Sequence, residues 1–559
     1  MTAGVADTAN ATTFRMSRRE VLFSVGLVFG VALVARILTS ALVVFPKPED
    51  TAYYVEVARN LLAGRGLVAD SLWSYQTPPL VVPRDAFEVW LPLPTFLAAA
   101  AMAVLGPTFG AAQVSSILVG SVVPVLAWRL GADVAAGRSM PPERARTLAI
   151  GSGLTAAVSL PLLLHSALPD STMPFAALTL GSCLLMTQIL ARLRGHGAIS
   201  PTDPRLLGLG VLLGLAALTR NEAAWLALAW ALLAWFTAGA SRRESLVAIA
   251  IPAAISLMIF APWAIRDWIV FGSPLPGQAL TNALSVQGTD IFAWSDPPTV
   301  SRYLAVGPAR LLEMRLIGIG HNLFDVLLLP GAPLSVIGLA VLPWVGRDAA
   351  FRPLVVVSIV TFLVTSLVFP VATTWGTFLH ASGAIQVLLI VAALVGLDRL
   401  LAAIGRRRGW TKPVAWLAPT LTAGGALLFS AALFPSFGAG SEATATQFAA
   451  LDRQMADAGM PFGETGPVIT DYPVWLSYAT DANGLALPAE EPASVVDLAR
   501  SFPGTSLVVV VSGNGVWPQV LDAGGPGAEC FEEIDIGRPA EAGLAAAIES
   551  VRVFRVVCR

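Results

Sequence analysis

Apolar runs of roughly 20 residues recur through most of this chain, and no other feature narrows its fold as far. At about 1.5 Å per residue, a helix of that length crosses the ~30 Å hydrocarbon core of a bilayer. The runs lie near 20–45, 90–105, 111–136, 147–164, 174–191, 206–219, 223–238, 246–264, 323–343, 353–370, 381–397 and 413–434. Composition agrees: the 559 residues are 55% hydrophobic and 13% charged, with mean hydropathy +0.71. Soluble chains carry about 25% charged residues. The chain therefore reads as a mainly α, polytopic membrane protein. The first ~17 residues are polar without an apolar core, so no cleavable signal is expected and the first run is a retained anchor. A net charge of −2 argues against a nucleic-acid partner.

Charge sets the topology, because Lys and Arg collect on the cytoplasmic side. Basic connections fall at 15–19, 138–146, 192–205, 242–243, 347–352 and 399–412, from Arg15 to Lys412. Every one lands inside only if 90–105 fails to cross, and its opening Trp90-Leu91-Pro92-Leu93 and short length also disfavour a span. About eleven spanning helices follow, with the N-terminus cytoplasmic and the C-terminus outside. The outer face then gathers the loop 46–110, turns at 165–173, 219–222 and 371–380, the loop 265–322 and the tail. Two large loops and a tail on one face suit an enzyme better than a transporter, whose polar groups sit near mid-membrane on broken helices.

Chemistry-bearing residues cluster on that outer face. Glu49 and Asp50 follow the first span and open a short amphipathic helix expected at Thr51–Ala63. Helix capping explains such a pair, and so does a general base at the membrane surface. Asp170 has the same two readings, since Asp170, Ser171 or Thr172 can cap the next helix. Two loop carboxylates can also share an acceptor or a divalent metal, Mg or Mn, although no His partner is evident nearby. Arg220 and Arg266 run against the positive-inside trend. They either pair with Glu222 and Asp267 or clamp a phosphate. His165 receives no role, and His380 is a candidate to touch a ligand head group. Gly151-Ser152-Gly153-Leu154-Thr155-Ala156 matches a dinucleotide pattern but sits inside a span with no preceding strand, so it is discounted.

Four motifs in order resemble the GT-C superfamily of integral-membrane glycosyltransferases, which includes protein O-mannosyltransferases, aminoarabinose transferases and oligosaccharyltransferases. They are Glu49-Asp50-Thr51-Ala52-Tyr53-Tyr54 with the break at Gly64, Trp90-Leu91-Pro92-Leu93, Asp170, and Leu218-Thr219-Arg220-Asn221-Glu222 followed by Pro262-Trp263-Ala264-Ile265-Arg266. The resemblance covers about 1–400. It implies a sugar donor on a polyprenyl-phosphate carrier, an inverting transfer to an acceptor hydroxyl of a lipid, glycan or protein, and residence in the plasma membrane. It makes Asp50 the base, with Glu49 in reserve because the pair reads Glu-Asp with Thr51 and Ala52 before Tyr53, so register decides between them. Asp170 joins them as catalytic, Arg220 and Arg266 hold phosphate, and Tyr53, Tyr54 and Trp90 bind substrate. A flippase for lipid-linked sugars, or a non-catalytic scaffold, remains the rival.

The tail differs in kind. From about 435 it becomes polar, with strands expected at 467–471, 507–511 and 551–557 and a helix at 447–458. The expected division is a transmembrane domain, 1–434, and a small extracytoplasmic α/β domain, 435–559. Cys530 and Cys558 share that domain and can pair, while Cys183 lies in a span as packing.

Overall fold

The computed structural model describes residues 16–195, 199–411, 414–480 and 482–558. Arg15, Lys412 and most of the polar N-terminal stretch lie outside them. In chain order the first elements are α1 (Arg18–Ser40), α2 (Glu49–Leu62), β1 (Val68–Ala69), β2 (Ser71–Leu72), β3 (Arg84–Asp85), α3 (Leu93–Leu105) and α4 (Phe109–Gly137). There follow α5 (Pro142–Ala157), α6 (Leu160–Ser166), α7 (Thr172–Arg194), α8 (Pro204–Ala217), α9 (Ala223–Trp235) and α10 (Arg242–Phe271). The second large loop holds α11 (Ala279–Leu284), α12 (Val300–Ala305) and α13 (Gly307–Gly320). Then come α14 (Leu334–Val345), α15 (Arg352–Leu367), α16 (Thr377–Ala381), α17 (Gly383–Arg407) and α18 (Leu417–Asp457). The tail contributes β4 (Val468–Thr470), α19 (Pro473–Thr480), β5 (Gly484–Ala486), α20 (Pro492–Ser501), β6 (Leu507–Val510), α21 (Val516–Asp522), β7 (Phe531–Ile534), α22 (Ala542–Ala547) and β8 (Arg552–Val556).

Among the described residues, α1, α4, α7, α10, α17 and α18 are long and apolar enough to cross a membrane. The pair α5 and α6 passes the same test together, bent by 53°. Each remaining expected span contains a shorter apolar helix, and 90–105 holds only the 13 residues of α3. The bend at α5 and α6 frees carbonyls that hydrocarbon cannot satisfy, and buried Arg36 of α1 answers it. Its Nη1 donates to Ala157 O at 3.1 Å and its Nε to Ser166 Oγ at 2.9 Å. The glycines of the discounted dinucleotide pattern are packing points. A Cβ on Gly153 would lie 2.8 Å from the Val28 methyls, and one on Gly151 2.7 Å from Pro419.

The expected boundary at 434/435 falls inside α18, which runs unbroken for 41 residues with Pro435 in its interior. The apolar half packs in the bundle, and the polar half carries the chain into the tail. Ser441 locks the crossing: its Oγ accepts from the Val44 and Phe45 N–H groups at 3.1 and 2.8 Å. The tail sheet is six-stranded in the order β2-β5-β4-β6-β8-β7. β2, β5, β4 and β6 run parallel, and β8 is antiparallel to both β6 and β7. Its edge strand β2 belongs to the loop 46–110, so that loop and the tail share one sheet. Leu507, Val508, Val509 and Val510 are all buried, as a parallel strand covered on both faces requires.

Cys530 and Cys558 are disulfide-bonded and Cys183 is free. Closing a loop of 28 residues stabilises by about 3.6 kcal/mol in the chain-entropy account. Thiol titration of the denatured protein is expected to find Cys183 alone before reduction and all three cysteines after it. Three reactive thiols before reduction would contradict the bond.

Candidate active site

Helix α2 begins at Glu49 rather than Thr51, with Pro48 as an N-cap that offers no side-chain bond. Glu49 and Asp50 therefore occupy its first turn, where the positive end of the helix dipole favours carboxylates. Successive helical residues point about 100° apart, so the two acids serve different partners. Glu49 turns toward the tail. Its Oε1 accepts from the Val474 and Trp475 N–H groups at 3.0 and 3.4 Å, capping the start of α19. Burial pushes its carboxyl up to about 8 against the pull of those two backbone bonds. Asp50 turns into the bundle, its Oδ1 accepting from Thr51 N–H at 2.8 Å and its Oδ2 lying 3.1 Å from His380 Nε2.

His380, on the short helix α16, joins Asp50 to Asp170. Its Nδ1 lies 2.7 Å from Thr172 Oγ1 and 3.6 Å from Asp170 Oδ2. Asp170 sits in the turn between α6 and α7. Its Oδ1 accepts from Thr172 N–H at 2.8 Å, so the capping reading holds as well. His165, at the end of α6, places Nδ1 3.3 Å from Asp170 Oδ2. Two imidazoles thus flank Asp170, which corrects the expectation that no His partner was near. Arg220 completes the group from the α8–α9 turn. It grips Glu222 through Nε and Nη2 at 3.0 and 2.9 Å, donates from Nη1 to Ser171 Oγ at 2.8 Å, and reaches Thr377 O at 3.4 Å. Arg220 is thereby fastened to the turn bearing Asp170 and to the helix bearing His380. Tyr54, fully buried on α2, lies within electrostatic reach of Asp50 and Arg220.

These environments push the two carboxyls apart. Burial raises Asp50, and the nearby Asp170 charge adds to that, against the attraction of His380 and Arg220. Burial also works against ionised Asp170, but the bonds from His165 and His380 hold it well below the usual carboxylate range. Burial disfavours the His380 imidazolium, yet the Asp50 charge and the nearby Asp170 carboxylate outweigh it and raise the ring above 6.5. A raised histidine contributes stability that is complete below 6.5 and fades as pH climbs through the folded value.

The other expected residues form a neighbouring group. Arg266 donates to Ala86 O at 2.7 Å, pairs with Asp267 at 3.0 Å and lies 3.6 Å from Asp85. Tyr53 accepts from Phe87 N–H at 2.6 Å and packs against Trp90 with centroids 4.3 Å apart. Neither Arg266 nor Tyr53 bonds to Asp50, Asp170 or His380 in the described contacts. His165, Ser171 and Thr172 escaped sequence reasoning as contributors, although His165 precedes Asp170 by only five residues.

His165, Asp170 and His380 each offer a ligand atom within 4.8 Å of the others. Two imidazoles and a carboxylate suit Mn or Zn better than Mg, which prefers oxygen.

With four histidines in the chain, selective 15N-histidine labelling makes the His380 titration readable. Its midpoint is expected above 6.5 and should fall on Asp50→Asn, which removes the largest attraction holding the proton. An unmoved midpoint would break the proposed link between the two side chains.

No protein-family model matches the chain, and no curated protein is significantly similar to it. Solved structures do match. ArnT from Cupriavidus metallidurans, bound to undecaprenyl phosphate, aligns at TM-score 0.54 and 14% identity over 96% of this chain and 98% of its own. An oligosaccharyltransferase of Archaeoglobus fulgidus, tethered to an acceptor peptide containing the NVT sequon, aligns at TM-score 0.54 and 15% identity over 88% and 69%. The chain thus shares its fold with these two structures, in line with the GT-C resemblance read from its sequence.

Proposed function

We propose that this protein transfers a sugar from a polyprenyl-phosphate carrier to an acceptor hydroxyl, with inversion, at the outer face of the plasma membrane. In this reading the N-terminus is cytoplasmic, the tail is extracytoplasmic, and the sequence division at 434/435 marks where α18 leaves the bilayer. One observation carries the reading: two carboxyls sharing one imidazole, one pushed up and one held down, with a buried arginine beside them. Titratable neighbours driven apart by their surroundings mark acid–base roles. A carboxylate of raised pKa is the better base, and it is Asp50 that reaches this state.

Asp50 takes the acceptor proton as that oxygen bonds the anomeric carbon. The carbon–oxygen bond to phosphate breaks, and its electron pair leaves on the phosphate. A phosphate needs charge stabilisation more than a proton, and Arg220 is the group fixed to supply it. Asp170 keeps His380 charged and oriented, while Tyr54 closes the wall beside the base. Arg266 and Tyr53 serve the same substrate from the neighbouring group. Glu49 leaves the list of candidate bases and becomes the clamp that docks the tail on α2. The donors around Asp170 fit a transition metal, which when bound supplies Lewis-acid polarisation of a phosphate oxygen. What the ArnT and oligosaccharyltransferase structures hold, a polyprenyl phosphate and an acceptor peptide, supports the substrate classes proposed.

The test is incubation of purified protein with labelled polyprenyl-phosphate sugars and membrane extract. Free carrier phosphate with a labelled product is the expected outcome, whereas movement of intact lipid would indicate a flippase. Asp50→Asn is expected to lower kcat at least ~10²-fold. Arg220→Gln is expected to remove about 2–4 kcal/mol of transition-state stabilisation. The acid limb of the parent rate profile should lie above 3.8, because the base is lost as pH falls through its raised value. An inserted, folded Asp50→Asn protein working at the parent rate would remove the base assignment.

A further inference from the structure

Aromatic rings from the loop 46–110, the loop 265–322 and the turn 371–380 form a continuous row. Tyr53 packs on Trp90 at 4.3 Å between centroids, Trp90 on Trp73 at 5.0 Å, Trp73 on Phe292 at 5.2 Å, and Phe292 on Trp375 at 5.3 Å. Both ends of the row lead toward the acidic centre. The Tyr53 ring packs edge-on against Tyr54 with centroids 6.2 Å apart, and Trp375 lies two residues before α16, whose Thr377 carbonyl accepts from Arg220 and whose His380 meets Asp50. The middle rings are only half-buried, and Trp375 is 49% exposed.

A second observation points to an occupant. Gln278 lies in the same outer loop as Phe292 and is 6% exposed, yet neither its Oε1 nor its Nε2 has a hydrogen-bond partner. It stands beside the Arg220 turn, for a Cβ on the adjacent Gly277 would lie 3.8 Å from Asn221 Nδ2. The loop is tied down around it. Thr77 Oγ1 donates to Pro276 O at 3.5 Å and Gln76 Nε2 to Ala293 O at 2.8 Å. A buried amide with both functions unmade is costly, and a hydroxyl, donor and acceptor at once, satisfies both.

We propose that the aromatic row and Gln278 form the acceptor subsite, and that the acceptor is a saccharide chain. This rests on the transferase reading and narrows its acceptor. Sugar rings present polarised C–H faces that settle on the negative faces of indoles, with hydroxyls at the rim. A buried amide beside the Arg220 turn and partly exposed tryptophan rings match that alternation. Peptide recognition draws instead on a free sheet edge, a hydrophobic groove or an arginine cluster.

The experiment titrates the full-length protein in detergent, by tryptophan fluorescence, with maltohexaose, mannohexaose and arabinohexaose. A Ser/Thr-rich peptide and polyprenyl phosphate are titrated alongside, and sugar transfer from labelled carrier to membrane extract is measured on the same preparations. At least one hexasaccharide is expected to saturate. Trp375→Ala should weaken it roughly fivefold to a hundredfold, the scale of a lost stacking contact, and Trp375→Phe should restore most of that. Gln278→Leu should weaken it as well, through a different contact. Active transfer with no saccharide binding, with a Kd unmoved by Trp375→Ala, or with the peptide bound through Trp375 instead would overturn the subsite alone. Saccharide binding without any transfer would overturn the transferase reading and, with it, the acceptor role.

Discussion

Buried charge must be paired, and in this protein that requirement assembles the site. Asp50, Asp170, His380, Arg220 and Glu222 come from α2, the α6–α7 turn, α16 and the α8–α9 turn, segments far apart in the chain. None is tolerable alone in so dry a place, because an isolated buried ion costs several kcal/mol. Together they alternate in sign: Asp50 to His380, His380 to Asp170, Arg220 to Glu222, with Ser171 and Thr377 tying the arginine to the other segments. Removing one member strands its neighbour, so the helices that carry them are held at one end of the bundle. The opposite end has its own pairs, Arg138 with Asp348 and Arg144 with Asp398, among the basic connections.

The tail is bound into the same arrangement through Glu49. Its carboxylate meets two free N–H groups at the start of α19, the position where a helix most favours an anion. One residue further on, Asp50 faces the centre, so the first turn of α2 joins the soluble sheet to the chemistry. β2 strengthens this by giving the first loop a strand in the tail sheet, and Glu490 draws in the second loop by accepting from Trp294, Ser295 and Asp296 N–H groups. Loop, loop and tail form one roof over the acidic centre.

Much of this was legible in the residues. Long apolar runs fixed the helices, and charge parity brought 50, 170, 220 and 380 to one face, where contacts now join them. What escaped depends on geometry that no local pattern encodes. Composition turns polar after 434 while α18 continues to Asp457, so the boundary was drawn through a helix. The two-residue strand Ser71–Leu72 gains its identity from β5, more than 400 positions away. Glu49 and Asp50 were singled out as a pair, but their separate partners depend on a helix starting two residues earlier than expected. The bland readings of Arg220 and Arg266 as partners of Glu222 and Asp267 hold too, since such pairing is what positions an arginine inside a dry site.

The central claim is that Asp50 and Arg220 face one pocket built for a sugar phosphate. A cryo-electron microscopy structure with a polyprenyl phosphate bound tests it most directly. The account predicts phosphate oxygens about 3 Å from the Arg220 guanidinium, on the side of Asp50 and His380. Phosphate held by Arg266 instead, with Arg220 bonded only to Glu222, Ser171 and Thr377, would contradict it.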